Sequence, residues 1–117
     1  METISNITDF KEELREDVLI IRLKGRLDAI SSPAVEKRIF EAINKGQEKI
    51  LVDLTSLTYL SSSGMRMFLS ITKMLRTLSG KLIVCNTPVN VLDILKMSGF
   101  DHVLELVATE QEALKHF

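Results

Sequence analysis

In 117 residues this chain has one cysteine, two prolines, one tyrosine and no tryptophan. The single cysteine, Cys85, excludes an intrachain disulfide and a cysteine-based metal cluster. It lies inside the apolar run Leu82-Ile83-Val84-Cys85 and reads as a buried strand thiol in a reducing compartment. No run approaches the roughly 18 apolar residues that span a bilayer. No basic–apolar–small-residue signal opens the chain. Together these absences predict a cytoplasmic protein. An excess of one charge is also missing, with 15 Lys+Arg against 16 Asp+Glu. That balance provides no footprint for nucleic acid or an anionic membrane surface, and a monomer is the default expectation.

Catalytic signatures are missing too. There is no Gly-x-Ser-x-Gly elbow, no Walker-type phosphate loop and no glycine-rich dinucleotide fingerprint. His102 and His116 are the only histidines, one at the start of an expected strand and one at the C-terminus. No His/Glu or Cys/His spacing points to a metal, so no cofactor is expected and the chain reads as a non-enzyme.

The remaining composition, 45% apolar and 26% charged, is that of a soluble globular protein. The length predicts one domain over residues 1–117. Strand and helix patterns alternate throughout. Phe10–Leu14 and Val18–Leu23 read as strands joined by a turn at Glu16-Asp17, the second ending at Lys24-Gly25. Ser32-Pro33 reads as N-cap and first residue of a helix that stops at Asn44-Lys45-Gly46. Ile50–Leu54 is the third strand, and Ser62–Leu78 the second helix. Lys81–Cys85 is the fourth strand. Thr87-Pro88 opens a third helix ending at Met97-Ser98-Gly99. His102–Leu106 is the last strand, and Thr109 with Glu112 forms a capping box for a helix over 110–115. The order is β-β-α-β-α-β-α-β-α, an α/β fold whose crossovers imply a mainly parallel sheet, made mixed by the opening hairpin.

The stretch Lys49–Leu78 carries the functional signal. An apolar strand leads through a polar turn to Ser61-Ser62-Ser63-Gly64, where a helix begins. Backbone N–H groups in a first helical turn lack partners and the dipole there favours negative charge, so a serine at that place accepts phosphate readily. On a wheel of ~100° per residue, Met67, Phe68, Ile71, Met74, Leu75 and Leu78 gather on a core face. Ser62, Met65, Leu69, Lys73 and Arg76 lie opposite. This predicts a docking surface with Met65 and Leu69 as apolar anchors and Ser62 at its edge. Ser62 projects away from the core face and Ser63 nearer its flank. Ser62 is therefore the expected phospho-acceptor, with Ser63 and Ser61 as secondary candidates or simple caps.

These residues resemble the bacterial anti-sigma-factor antagonists, single-domain members of the STAS group. Gly25-Arg26-Leu27-Asp28 matches the Gly-x-Leu-Asp that closes the family's second strand. Val52-Asp53-Leu54 with Tyr59–Met65 is similar to its strand and phosphorylation loop. Lys96-Met97-Ser98-Gly99-Phe100 matches the end of its third helix. The resemblance implies a STAS-like fold with helices mainly on one face of the sheet. It also implies a cycle of partner switching. The unphosphorylated protein binds an anti-sigma factor, often itself a serine kinase of the histidine-kinase-like ATPase type, and frees a sigma factor. Phosphorylation of Ser62 breaks the complex and a serine phosphatase restores it. By resemblance Asp28 lies near the phosphorylation loop and supports kinase recognition. The implied partner-binding set is Asp28, Ser61, Ser62, Ser63, Gly64, Met65, Arg66 and Leu69. The family usually has aspartate directly before the acceptor, where this chain has Ser61. That departure motivates an alternative expectation, a STAS interaction module of a transporter, lipid-transport or stress-sensing complex without phospho-switching.

Overall fold

A computed structural model describes residues 7–117. Five strands, β1 (Ile7–Arg15), β2 (Val18–Leu27), β3 (Lys49–Leu60), β4 (Lys81–Cys85) and β5 (Glu105–Val107), lie side by side in chain order. β1 is antiparallel to β2, and every later pairing is parallel. The helices are α1 (Ser32–Asn44), α2 (Ser62–Thr77), α3 (Val89–Met97) and α4 (Glu110–Leu114), with a short 3-10 turn over Phe100–His102.

The central strands are apolar on both faces because both are covered. Leu19, Ile21, Ile50, Val52, Leu82 and Val84 meet Val35 and Ile39 of α1, Phe68 and Ile71 of α2, and Val91 and Leu95 of α3. On the opposite face Val18, Ile20, Leu51, Ile83 and Cys85 meet Ala113 of α4, with Leu114 and Phe117 packed beside it. Three helices thus cover one face and the short α4 the other.

Several boundaries differ from the sequence reading. β2 runs on to Leu27 and β3 to Leu60, and the two stay paired up to Leu27 opposite Leu60. Thr55, Ser56 and Thr58 look like a turn in sequence. They are the exposed positions of a half-buried strand whose inward residues are Leu57 and Leu60. Ser31, not Ser32, is the N-cap of α1, and its side chain makes no capping bond. Thr87 does not cap α3; Pro88 occupies that place and the helix starts at Val89. The last strand starts at Glu105 because Gly99, at φ +80°, turns the chain into the 3-10 turn first. Thr109 does cap α4, its Oγ1 accepting the Glu112 N–H at 3.1 Å.

Candidate functional site

The carboxyl ends of β2 and β3 build the site. The Ser61 N–H donates to Leu27 O at 2.9 Å, so the ladder between the strands holds the serine loop against the turn after β2. Asp28 organises that turn. Its Oδ1 accepts the backbone N–H groups of Ile30 and Ser31, each at 3.0 Å. Ser31 Oγ donates to Arg26 O at 2.8 Å and accepts the Asp28 N–H at 3.0 Å. Arg26 Nε stands 3.9 Å from the other Asp28 oxygen, and its guanidinium lies 4.2 Å from the centre of the Tyr59 ring. Asp28 is therefore both a turn former, as Asp often is after a strand, and a neighbour of the serine loop.

The three serines have different surroundings. Ser61 is extended (φ −89°, ψ 172°) and is the N-cap of α2; its Oγ accepts the Gly64 N–H at 3.2 Å. Ser63 is half-buried and its Oγ accepts from Arg66 Nη2 at 3.3 Å. Ser63 and Arg66 line a groove of about 260 Å³ between α1 and α2, shared with Ser32 and Met67. Ser62 is exposed at the first helical position. The first turn of α2 carries no acidic residue, so its dipole faces solvent uncompensated. Gly64 is required for space: a Cβ there would fall 2.6 Å from Leu60 Cδ1 and 3.1 Å from Leu27 Cγ.

The expected pair of apolar anchors is corrected here. Met65 is only 7% exposed and belongs to the core, with Ser98 Oγ of the α3 end donating to its Sδ at 3.3 Å. Leu69 is half-buried. α2 lies among α1, α3 and the sheet, so more than one side of it is buried and a single-stripe wheel misplaces Met65. Conversely, Met74 and Leu78, assigned to the core face, are exposed. Among the described residues, the exposed large apolar side chains beyond the carboxyl ends of the parallel strands β2 and β4 are Ile30, after β2, and Val89, at the start of α3. Their sequence signal is weak: Ile30 is an apolar residue inside a turn, and Val89 follows the proline that opens a helix. Arg66 is exposed.

A second polar cluster lies on the α4 face. Arg22 Nη1 bonds Asp53 Oδ2 at 2.8 Å and Glu110 Oε1 at 2.6 Å, and Arg22 Nη2 bonds Glu13 Oε1 at 3.1 Å. Burial pushes the Asp53 carboxyl up, but hydrogen bonds from Thr55, Arg22 and Asn86 outweigh it and hold it below the usual carboxylate range. This cluster ties β1, β2, β3 and α4 together. Sequence reading missed it because its members are distant in the chain. Among the described residues no group of three or more His, Cys, Asp or Glu side chains is placed to hold a metal ion. Likewise no helix is long and apolar enough to cross a membrane.

Comparison with known proteins agrees with this geometry. The STAS domain model matches residues 10–113. The chain belongs to the STAS domain family. This STAS domain is 34% identical over 103 residues to the anti-sigma F factor antagonist of Paenibacillus polymyxa, covering 87% of this chain and 88% of the relative. It is 24% identical over 107 residues to the anti-sigma-B factor antagonist of Listeria monocytogenes, covering 92% and 94%. Among solved structures it is similar to the anti-sigma factor antagonist SpoIIAA in its unphosphorylated form. The TM-score there is 0.78 at 27% identity, over 92% of this chain and 95% of that one. The expected fold, a mixed sheet with helices mainly on one face, is thus that of the family.

Proposed function

We propose that this STAS domain is an anti-sigma factor antagonist switched by phosphorylation of Ser62. The observation that carries the reading is the unequal state of the three serines. Ser61 Oγ is used as the helix cap and Ser63 Oγ is bonded by Arg66, while Ser62 is exposed at the start of α2. The relatives' names supply the partner class, an anti-sigma factor.

The partner is an anti-sigma factor that is also a serine kinase of the histidine-kinase-like ATPase type. In the switching step Ser62 Oγ attacks the γ-phosphorus of ATP. The new O–P bond replaces the one to ADP, which leaves, and the hydroxyl proton goes to a base or to water. The fold tolerates the resulting dianion because it sits at a helix N-terminus. A complex does not, because the partner must desolvate that charge. A serine phosphatase then hydrolyses the ester and resets the switch, in the cytoplasm. Ile30, Arg66 and Leu69 supply the remaining contact surface, and Asp28 holds the turn beside the serine loop.

The test mixes the protein with its organism's anti-sigma kinase and ATP, then locates phosphate by mass spectrometry and measures binding. Phosphate on Ser62 with loss of binding is expected, with Ser62→Ala constitutively bound and Ser62→Asp weakened. Binding with no serine phosphate would overturn the switch but keep the antagonist. Neither binding nor phosphate would overturn both and favour a transporter or scaffold module.

A further inference from the structure

Arg66 stands one helical turn after Ser62 on α2, and both side chains are exposed. Helical side chains tilt toward the N-terminus, so residues four apart lie one above the other on the surface. Arg66 follows that direction. Its Nη2 donates to Ser63 Oγ at 3.3 Å, which puts the guanidinium beside the serine loop. That bond is long and its acceptor is neutral, so it holds Arg66 only weakly.

Among the described residues no carboxylate pairs with Arg66. α2 has no acidic residue, and Glu36 of α1 lines the same groove as Arg66 without an ion pair to it. Arg26, the other cation at this end of β2 and β3, is already engaged. Its guanidinium lies 4.2 Å from the centre of the Tyr59 ring and its Nε is 3.9 Å from Asp28 Oδ2. Guanidinium carries five N–H donors, and Ser63 takes one of those of Arg66. Arg66 is thus a cation with donors to spare, aimed at the start of the helix that carries Ser62.

We propose that Arg66 holds the phosphate of phosphorylated Ser62, an inference that rests on the Ser62 switch proposed above. The guanidinium leaves Ser63 Oγ and donates in parallel to two phosphate oxygens, the planar fork matching the anion. The dianion is a far stronger acceptor than the Ser63 hydroxyl, so the exchange is favourable. Asp28 and Glu36 are the carboxylates beside the loop and oppose the new charge; Arg66 offsets them. The contact also withdraws Arg66 from the surface that a partner meets. The phosphorylated state then presents neither a neutral hydroxyl at Ser62 nor a free guanidinium at Arg66.

The test installs phosphoserine at position 62 during translation of the full chain, so it does not require any kinase to use Ser62. The second pKa of the phosphate is read by ³¹P NMR titration. A guanidinium in contact favours the dianion, so this pKa is expected to lie at least about 0.3 lower with Arg66 than in Arg66→Gln. Arg66→Lys, which keeps the charge without the fork, is expected to fall between them. Arg76→Gln removes a charge in the last turn of α2, well beyond a Debye length, and is expected to change the pKa by less than about 0.1. The Arg66 Nε–H signal is expected to move as the phosphate titrates. Equal phosphate pKa values with Arg66 and with Gln would overturn the proposal. So would an Arg76→Gln effect as large as that of Arg66→Gln, or an Arg66 Nε–H signal that stays still. These outcomes are independent of the kinase assay, which alone decides whether Ser62 is the switch.

Discussion

Ser61 Oγ accepts the Gly64 N–H at 3.2 Å, so the serine that precedes Ser62 is the cap of the helix that carries Ser62. The family usually places aspartate here. Both residue types are good N-caps, and the exchange removes a charge without removing the cap. Ser61→Ala is expected to destabilise the protein by about 1 kcal/mol, whereas Ser61→Asp keeps stability within about 0.5 kcal/mol of wild type or above it. Urea unfolding of the two variants checks both. Equal loss in both would mean that the cap contributes nothing.

Gly64 lets the first turn of α2 approach the ends of β2 and β3. In Gly64→Ala the new methyl meets Leu60 and Leu27, both buried and unable to yield freely. The expected loss is about 1–3 kcal/mol, the range for overpacking a filled core. The same unfolding measurement decides it. A neutral substitution would show that the loop can relax outward.

Met65 and Leu69 separate packing from docking. Met65 is in the core, so Met65→Ala is expected to cost about 2–5 kcal/mol in unfolding free energy. Leu69 is half-buried, and Leu69→Ala is expected to cost about 1 kcal/mol while weakening partner binding. Loss of binding in a Met65 variant of full stability would restore Met65 as an anchor.

The hydrogen bonds that Asp53 accepts from Thr55, Arg22 and Asn86 outweigh its burial and predict an acid limb in stability. The folded pKa of Asp53 is lowered from its ordinary value, so its contribution is complete above about pH 4 and is lost as pH falls through the folded pKa. Asp53→Asn is expected to flatten the stability profile below about pH 4. At neutral pH the same change costs about 1–3 kcal/mol, since Thr55, Asn86 and Arg22 each lose a charged acceptor. Unfolding free energies from about pH 3 to 7 for both proteins check the sign. An unchanged acid limb would exclude Asp53 as its source.

Cys85 is fully buried at the end of β4. Burial, aided by the nearby charges of Asp53 and Glu110, pushes its thiol up to about 12. Thiolate is the reactive form, so the native protein is expected to resist a disulfide exchange reagent at pH 8, and urea is expected to expose one thiol per chain. Rapid labelling of the native protein would contradict that burial.

Much of this architecture was legible because its signals are local. The apolar run Ile50–Leu54, the Ser-Pro start of α1 and the Thr109 cap of α4 each lie within a few residues of the structure they specify. So does the serine loop, where a strand gives way to a helix at Ser61–Gly64. Apolar strands buried on both faces also imply covering helices, and so the layered α/β class. The polar end of β3 was not legible, because Thr55–Leu60 becomes a strand only by pairing with an extended β2.

The sequence by itself determined the element order, the position of the serine loop and the family. Those follow from short-range periodicity, capping chemistry and spaced motifs. Tertiary structure alone decided that Met65 faces the core, that Asp28 Oδ1 folds the turn before α1, and that Arg22 joins Asp53 and Glu110. Each of these depends on which residues distant in the chain meet, and packing settles that rather than any local preference.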